Sequence, residues 1–192
     1  MFAYCNNNPS KYSDSAGTLP VPYCVPFEDL ETLVVNEQDE KSDIRDVTEE
    51  VGAALTAAAN DARVMCSLAQ IIDGDGPLAM GMIYLCFYSL VDHKAPWDIK
   101  RKEQWELTIG TPYPGFDEYV IFAGYKMTPE QLGNFTYGFL GYAYQIPLDH
   151  LVGGSYYAAG FPVSGYELTN EVLDWVFVSI GYECAKEAYG GV

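Results

Sequence analysis

Basic side chains are scarce in this sequence: ten Lys and Arg stand against 27 Asp and Glu, a formal net charge of −17. Wrapping nucleic acid by phosphate neutralisation needs clustered Lys and Arg, so that mode of binding is disfavoured. A nuclease whose metal ion brings the positive charge is not excluded by this argument. Histidine is scarcer still, at two residues, and the five cysteines (Cys5, Cys24, Cys66, Cys86, Cys184) include no CxxC pair. Their odd number argues against a disulfide framework and their spacing against a zinc site; buried free thiols are the expectation. No metal and no cofactor is expected. Apolar runs are broken by polar residues well before the ~20 needed to cross a bilayer, and no basic segment followed by an apolar core opens the chain as a secretory signal would. A soluble protein without a membrane span is therefore expected. No serine sits in a G-x-S-x-G elbow, which disfavours a serine hydrolase of that type, and there is no internal repeat.

What is present is 49% hydrophobic residues and 16 tyrosines over 192 positions, enough for one domain with an appendage. Residues 1–17 pair an aromatic strand end, "FAYC", with a polar turn, "NNNPSKYSDSAG". Residues 18–45 read as an extended arm and acidic linker, with Leu33–Val35 as a candidate short strand. From residue 46 the patterning becomes helical. "DVTEEVGAALTAAANDARVMCSLAQII" is a long helix capped by Asp46 or Thr48. "DGDG" at 73–76 reads as a turn and cap, because a calcium loop would need further ligands. "LAMGMIYLCFYSLVD" follows as an apolar, central helix. The stretch from His93 to Met127 reads as loops with one short hairpin. "TPEQLGNFTYGFLGYAYQI" is a helix with Thr128 as N-cap and Pro129 at its first position. "PLDHLVGGSYYAAG" is a short helix, and "TNEVLDWVFVSIGYECAKEAYGG" is a longer one running from a Thr or Asn cap to a Gly-Gly stop. The fold class expected is mainly α, or α+β with a minor hairpin: a single compact helical domain with long central loops and an extended N-terminal arm.

Two resemblances give these segments a context. "FAYCNNNPSKYSDSAG" is similar to the closing segment of the Rhs-repeat-associated core, Y-x-Y-x-x-N-N-P followed by D-P-[ST]-G, with Ser15 where that pattern has Pro. Such a segment ends a β-cage that encloses a C-terminal toxin. In the remainder, "APWDIKRKEQWE", "LGNFTYGFLGYAYQIP", "GGSYYAAGFP" and "LDWVFVSIGYE" occur in the order expected of the bacterial toxin 44 family (polymorphic toxin type 44). The resemblance implies residues 1–17 as a core remnant, 18–45 as a linker and 46–192 as the toxin domain. It also implies an effector of interbacterial competition, secreted or delivered into a neighbouring bacterial cell and silenced by a cognate immunity protein, with the rest of the Rhs cage in the same full-length chain.

The site residues follow from this pattern and from the chemistry of the side chains. If Trp97-Asp98-Ile99-Lys100 is extended, Asp98 and Lys100 share one face; if a helix begins at Pro96, Asp98 meets Lys102 instead. Gly133 and Gly138 in a helical pattern point to a close approach by a ligand or by a neighbouring helix, and Asn134 and Tyr137 share one helical face. Asp174, among Leu173, Trp175, Val176 and Phe177, is either a second acid or the partner of Lys100 or Arg101. His93, between Asp92 and Lys94, is either a general base or a bystander. The catalytic candidates are thus Asp98, Lys100, Asn134, Tyr137, His93 and Asp174. Trp97, Arg101, Trp105, Phe135, Gly138 and Asp117 are the substrate-binding candidates.

Aromatic rings that stack on sugars, and loop carboxylates, suggest a hydrolase acting on a glycan such as peptidoglycan, with Asp98 paired with Asp117 or Asp174. The alternatives are a nuclease using His93 with Lys100, and a toxin that acts by binding a protein.

Overall fold

The computed structural model describes residues 44–158 and 165–190, and only the backbone of 155–158 and 165–173. The expected core remnant and acidic arm, the strand at Leu33–Val35 and the residues at 159–164 lie outside the described residues. Within them the protein is mainly α-helical, with one two-stranded hairpin. Six helices are described: α1 (Thr48–Asp73), α2 (Pro77–Val91), α3 (Lys102–Thr108), α4 (Pro129–Ala143), α5 (Leu148–Ala158) and α6 (Gly165–Tyr189). The hairpin pairs β1 (Val120–Phe122) with β2 (Tyr125–Met127) in the register Val120↔Met127. Its two-residue loop, Ala123 and Gly124, has φ of 53° and 81°, the twist that two-residue hairpin turns require.

The start of α1 is tied to this hairpin. Asp46 Oδ1 accepts from the Thr48 N–H at 2.9 Å, satisfying a donor that the helix leaves open. Thr48 Oγ1 accepts instead from the Ala123 N–H at 2.8 Å. Asp46 therefore takes the capping part, and Thr48 links the helix to the hairpin. At the other end Asp73 Oδ2 accepts from the N–H groups of Leu78 and Ala79 at 2.9 and 3.4 Å. The "DGDG" segment is a turn whose first Asp caps α2.

The central helix is α4, which packs against α1, α2, α5, α6 and β2. Its N-terminus is a full capping box between Thr128 and Gln131 with Pro129 in the first turn, a reciprocal arrangement that satisfies two open donors. Phe135 stacks with Phe139 and meets Phe122 edge-on. Small residues bring its neighbours to the backbone: a Cβ on Gly138 would lie 1.9 Å from the Val178 carbonyl oxygen, and one on Gly181 of α6 1.9 Å from that of Phe135. The two helices thus cross in direct backbone contact.

Three sequence expectations need correction. The central place expected for the apolar segment 78–92 belongs to α4; α2 buries only Ala79, Ile83 and Phe87 and leaves Leu85 72% exposed. A helix apolar on every side does not reveal which side it buries, whereas the small residues of α4 permit close approach. The central stretch also holds a helix, α3, besides the hairpin. Finally, α6 begins at Gly165, so Thr169 and Asn170 lie inside it; Glu167 and Leu168 are good helix formers that carry it further back. No helix among the described residues is long and apolar enough to cross a membrane.

Candidate functional site

The loop from Asp92 to Arg101 is neither extended nor helical. It is a chain of tight turns closed by Ala95 N→Asp92 O, Asp98 N→Ala95 O and Arg101 N→Asp98 O, and anchored to α2 by Trp97 N→Leu90 O at 2.9 Å. Lys94 adopts φ 63°, a left-handed conformation that costs a residue with a Cβ about 1–2 kcal/mol. The Lys94 N–H donates to Asp98 Oδ2 at 2.9 Å. Within this loop Trp97, Asp98 and Ile99 are buried, while Lys100 is exposed.

Asp98 pairs with Arg101, not with Lys100. Its side chain is 3% exposed, and Oδ2 accepts from Arg101 Nε at 2.5 Å. The guanidinium, 40% exposed, also reaches His93 Nδ1 through Nη2 at 3.0 Å. An arginine can only donate, so Nδ1 of His93 must be the acceptor, and the neutral ring carries its proton on Nε2. The imidazole expected as a general base is therefore held as a donor through Nε2, with Asp98 fixing the arginine that fixes it.

Across from this loop stand α4 and α6. One turn before Gly138 lies Asn134; one turn before Val178 lies Asp174. The amide Nδ2 of Asn134 donates to Asp174 Oδ1 at 2.6 Å, a short bond of the charge-assisted kind. Asp174 thus meets an amide rather than the Lys100 or Arg101 that were its expected partners. Tyr137 Oη donates to the Leu151 carbonyl at 3.3 Å. Burial, with smaller contributions from Tyr88 and Tyr84, raises its pKa far above that of an ordinary phenol. It can therefore orient a ligand by hydrogen bonding but will not give up its proton at neutral pH.

Loop and helices enclose one cavity of about 550 Å³, into which Tyr88, Asp92, His93, Trp97, Asp98, Lys100, Arg101, Glu130, Asn134, Tyr137 and Asp174 all face. All six catalytic candidates read from the sequence, together with Trp97 and Arg101, line this one space. Four others do not. Trp105 is fully buried with its indole N–H on Thr111, Phe135 belongs to the core, and Gly138 serves the crossing with α6. Asp117 is exposed in the loop before β1 and is not part of the cavity wall.

Sequence reading passed over Glu130 and Tyr88. Glu130 is the acid in the first turn of α4, a position that by itself suits the helix end, yet it is i,i+4 to Asn134, and that spacing puts both on one face. Among the described residues no group of three His, Cys, Asp or Glu side chains is gathered to hold a metal ion.

No protein-family model, no curated protein and no solved structure matches this chain. Its reading therefore rests on its own residues and geometry.

Proposed function

We propose that this chain is the C-terminal effector part of an Rhs-type polymorphic toxin, with a toxin 44 domain that hydrolyses a glycan such as peptidoglycan. The observation that carries the chemistry is the make-up of the cavity. Asp92, Asp98, Glu130 and Asp174 line it together with Lys100 and Arg101 and the rings of Tyr88, Trp97 and Tyr137. Arg101 is matched by Asp98, so the space is acidic on balance, in a protein of net charge −17. A polyanion such as RNA meets repulsion there, whereas a glycan brings faces for aromatic rings and hydroxyls for amides and carboxylates.

Glycosidic cleavage uses two carboxyl groups roughly 5–9.5 Å apart. Asp98, tied to Arg101 and the Lys94 N–H, is a positioning residue. The pair we assign is Glu130 with Asp174. Both flank Asn134, one through the 2.6 Å amide contact and the other one turn away on the same helical face. Asn134 orients Asp174, and Tyr137 and Trp97 shape the sugar subsite. Delivery into a neighbouring cell and silencing by a cognate immunity protein belong to this reading, as does a cage formed by the rest of the full-length chain.

A second reading, phosphodiester cleavage, draws on the Arg101–His93 contact at 3.0 Å, which joins an anion-binding group to a proton donor. One experiment separates the two. The purified protein is incubated with dye-labelled cell walls from several species and, in parallel, with total RNA and plasmid with and without Mg²⁺. Dye release that D174N and E130Q abolish supports the glycan reading. Inert walls beside degraded nucleic acid would replace it with the second.

A further inference from the structure

The cations of the chain are not spread evenly. Of its ten Lys and Arg, four (Lys94, Lys100, Arg101 and Lys102) fall in one stretch of nine residues, and two of these face the cavity. Lys102 is 4.0 Å from Glu106 on its own helix. Lys100 has no carboxylate within ion-pair distance among the described residues. Arg101 spends its Nε–H on Asp98 and one Nη2–H on His93, leaving three of its five N–H groups for whatever enters. Asp98 and the left-handed turn at Lys94 hold the guanidinium in place, so little rotamer freedom remains to be lost on binding.

The cavity wall thus carries Lys100 and Arg101 on the α2–α3 loop as well as Glu130 and Asp174 on α4 and α6. We propose that Lys100 and Arg101 form a subsite for a single carboxylate carried by the glycan substrate, bound by the Arg101 Nη groups and the Lys100 ammonium. This rests on the glycan reading above and adds to it the chemical class of the substrate: an acidic glycan, such as a sugar bearing a lactyl or peptidyl acid.

The test uses the full chain carrying D174N, so that binding is read without turnover. Isothermal titration compares a muropeptide with free carboxylates, the same muropeptide with its carboxylates amidated, and a neutral chito-oligosaccharide. The free acid is expected to bind at least tenfold more tightly than the amide, about 1.4 kcal/mol at 25 °C, and K100A is expected to bring that ratio close to one. Equal binding of acid and amide overturns the subsite while leaving the glycan reading in place. If no glycan binds and an RNA oligomer does, both fall. R101K gives a further check: a lysine keeps the charge but loses the fork, so part of the acid preference should be lost; an unchanged ratio assigns the anchor elsewhere and also refutes the proposal.

Discussion

Replacing Gly138 with alanine tests the crossing that brings Asp174 to Asn134. The new methyl group would stand 1.9 Å from the Val178 carbonyl oxygen, 2.7 Å from its carbon and 3.0 Å from its Cα. All three atoms are backbone, so no side chain can swing aside. Restoring ordinary contact requires the helices to part by on the order of 1.5 Å. Overpacking a filled site costs roughly 1–3 kcal/mol, and a backbone obstacle places this case near 3. Alanine returns about 1 kcal/mol of helix propensity over glycine, which leaves a net loss of about 2 kcal/mol. For a domain of this size that lowers Tm by roughly 4–8 °C.

Gly133 supplies the control on the same helix. Its Cβ would meet nothing closer than 3.9 Å, so G133A should gain up to about 1 kcal/mol from propensity alone. Calorimetry or denaturant unfolding of the two variants measures the difference directly. G138A as stable as G133A would refute the direct crossing of α4 and α6, and with it the placement of Asp174.

Further expectations concern individual groups. The Asn134–Asp174 contact of 2.6 Å should give a coupling of about 1–3 kcal/mol in a double-mutant cycle of N134A and D174A followed by denaturant unfolding; additive effects would contradict it. The burial that raises the Tyr137 pKa makes the folded state keep a proton that the unfolded state loses above pH ~10. Stability should therefore fall as pH rises from there. Y137F should lose some stability at neutral pH yet show a flatter alkaline limb, and parallel limbs would count against the burial. Nitrogen-15 spectra of His93 should show an unprotonated Nδ1 and a protonated Nε2 in the neutral ring, a preference that R101A relaxes; an Nδ1–H tautomer would contradict the Arg101 contact. Burial moves the Cys66 thiol up to about 11 and raises that of Cys184 as well. Both should resist a thiol reagent at pH 8 until the protein unfolds.

Legibility in the sequence followed how local the signal was. The N-terminus of α4 was readable because Thr128, Pro129 and Gln131 supply its cap within four positions. Of α3 there was little to see: its seven residues are too few for an amphipathic period to stand out, and its capping residue, Arg101, is not a capping type. The shape of the Asp92–Arg101 loop depends on Lys94 at φ 63°, where neither glycine nor asparagine marks the turn. Both conformations considered for Asp98 were consequently wrong, and its true partner, Arg101, follows only from the chain of turns. Glycine spacing did announce a close approach, but left open what approached. At Gly138 it is α6, and at Gly133 the Ile99–Lys100 backbone and side chains lie at ordinary distance. The clustering of loop and helix residues around one cavity is a long-range fact, and no local pattern in the sequence fixes which side chains touch.

The most direct measurement for the account as a whole is growth of bacteria expressing the domain in the cytoplasm or, separately, exported across the inner membrane, each beside its D174N counterpart. A glycan-cleaving effector aimed at the wall should lyse cells only when exported, and D174N should spare them at equal protein level. Killing from the cytoplasm without export, or undiminished lysis by D174N, would contradict the assignment of this cavity.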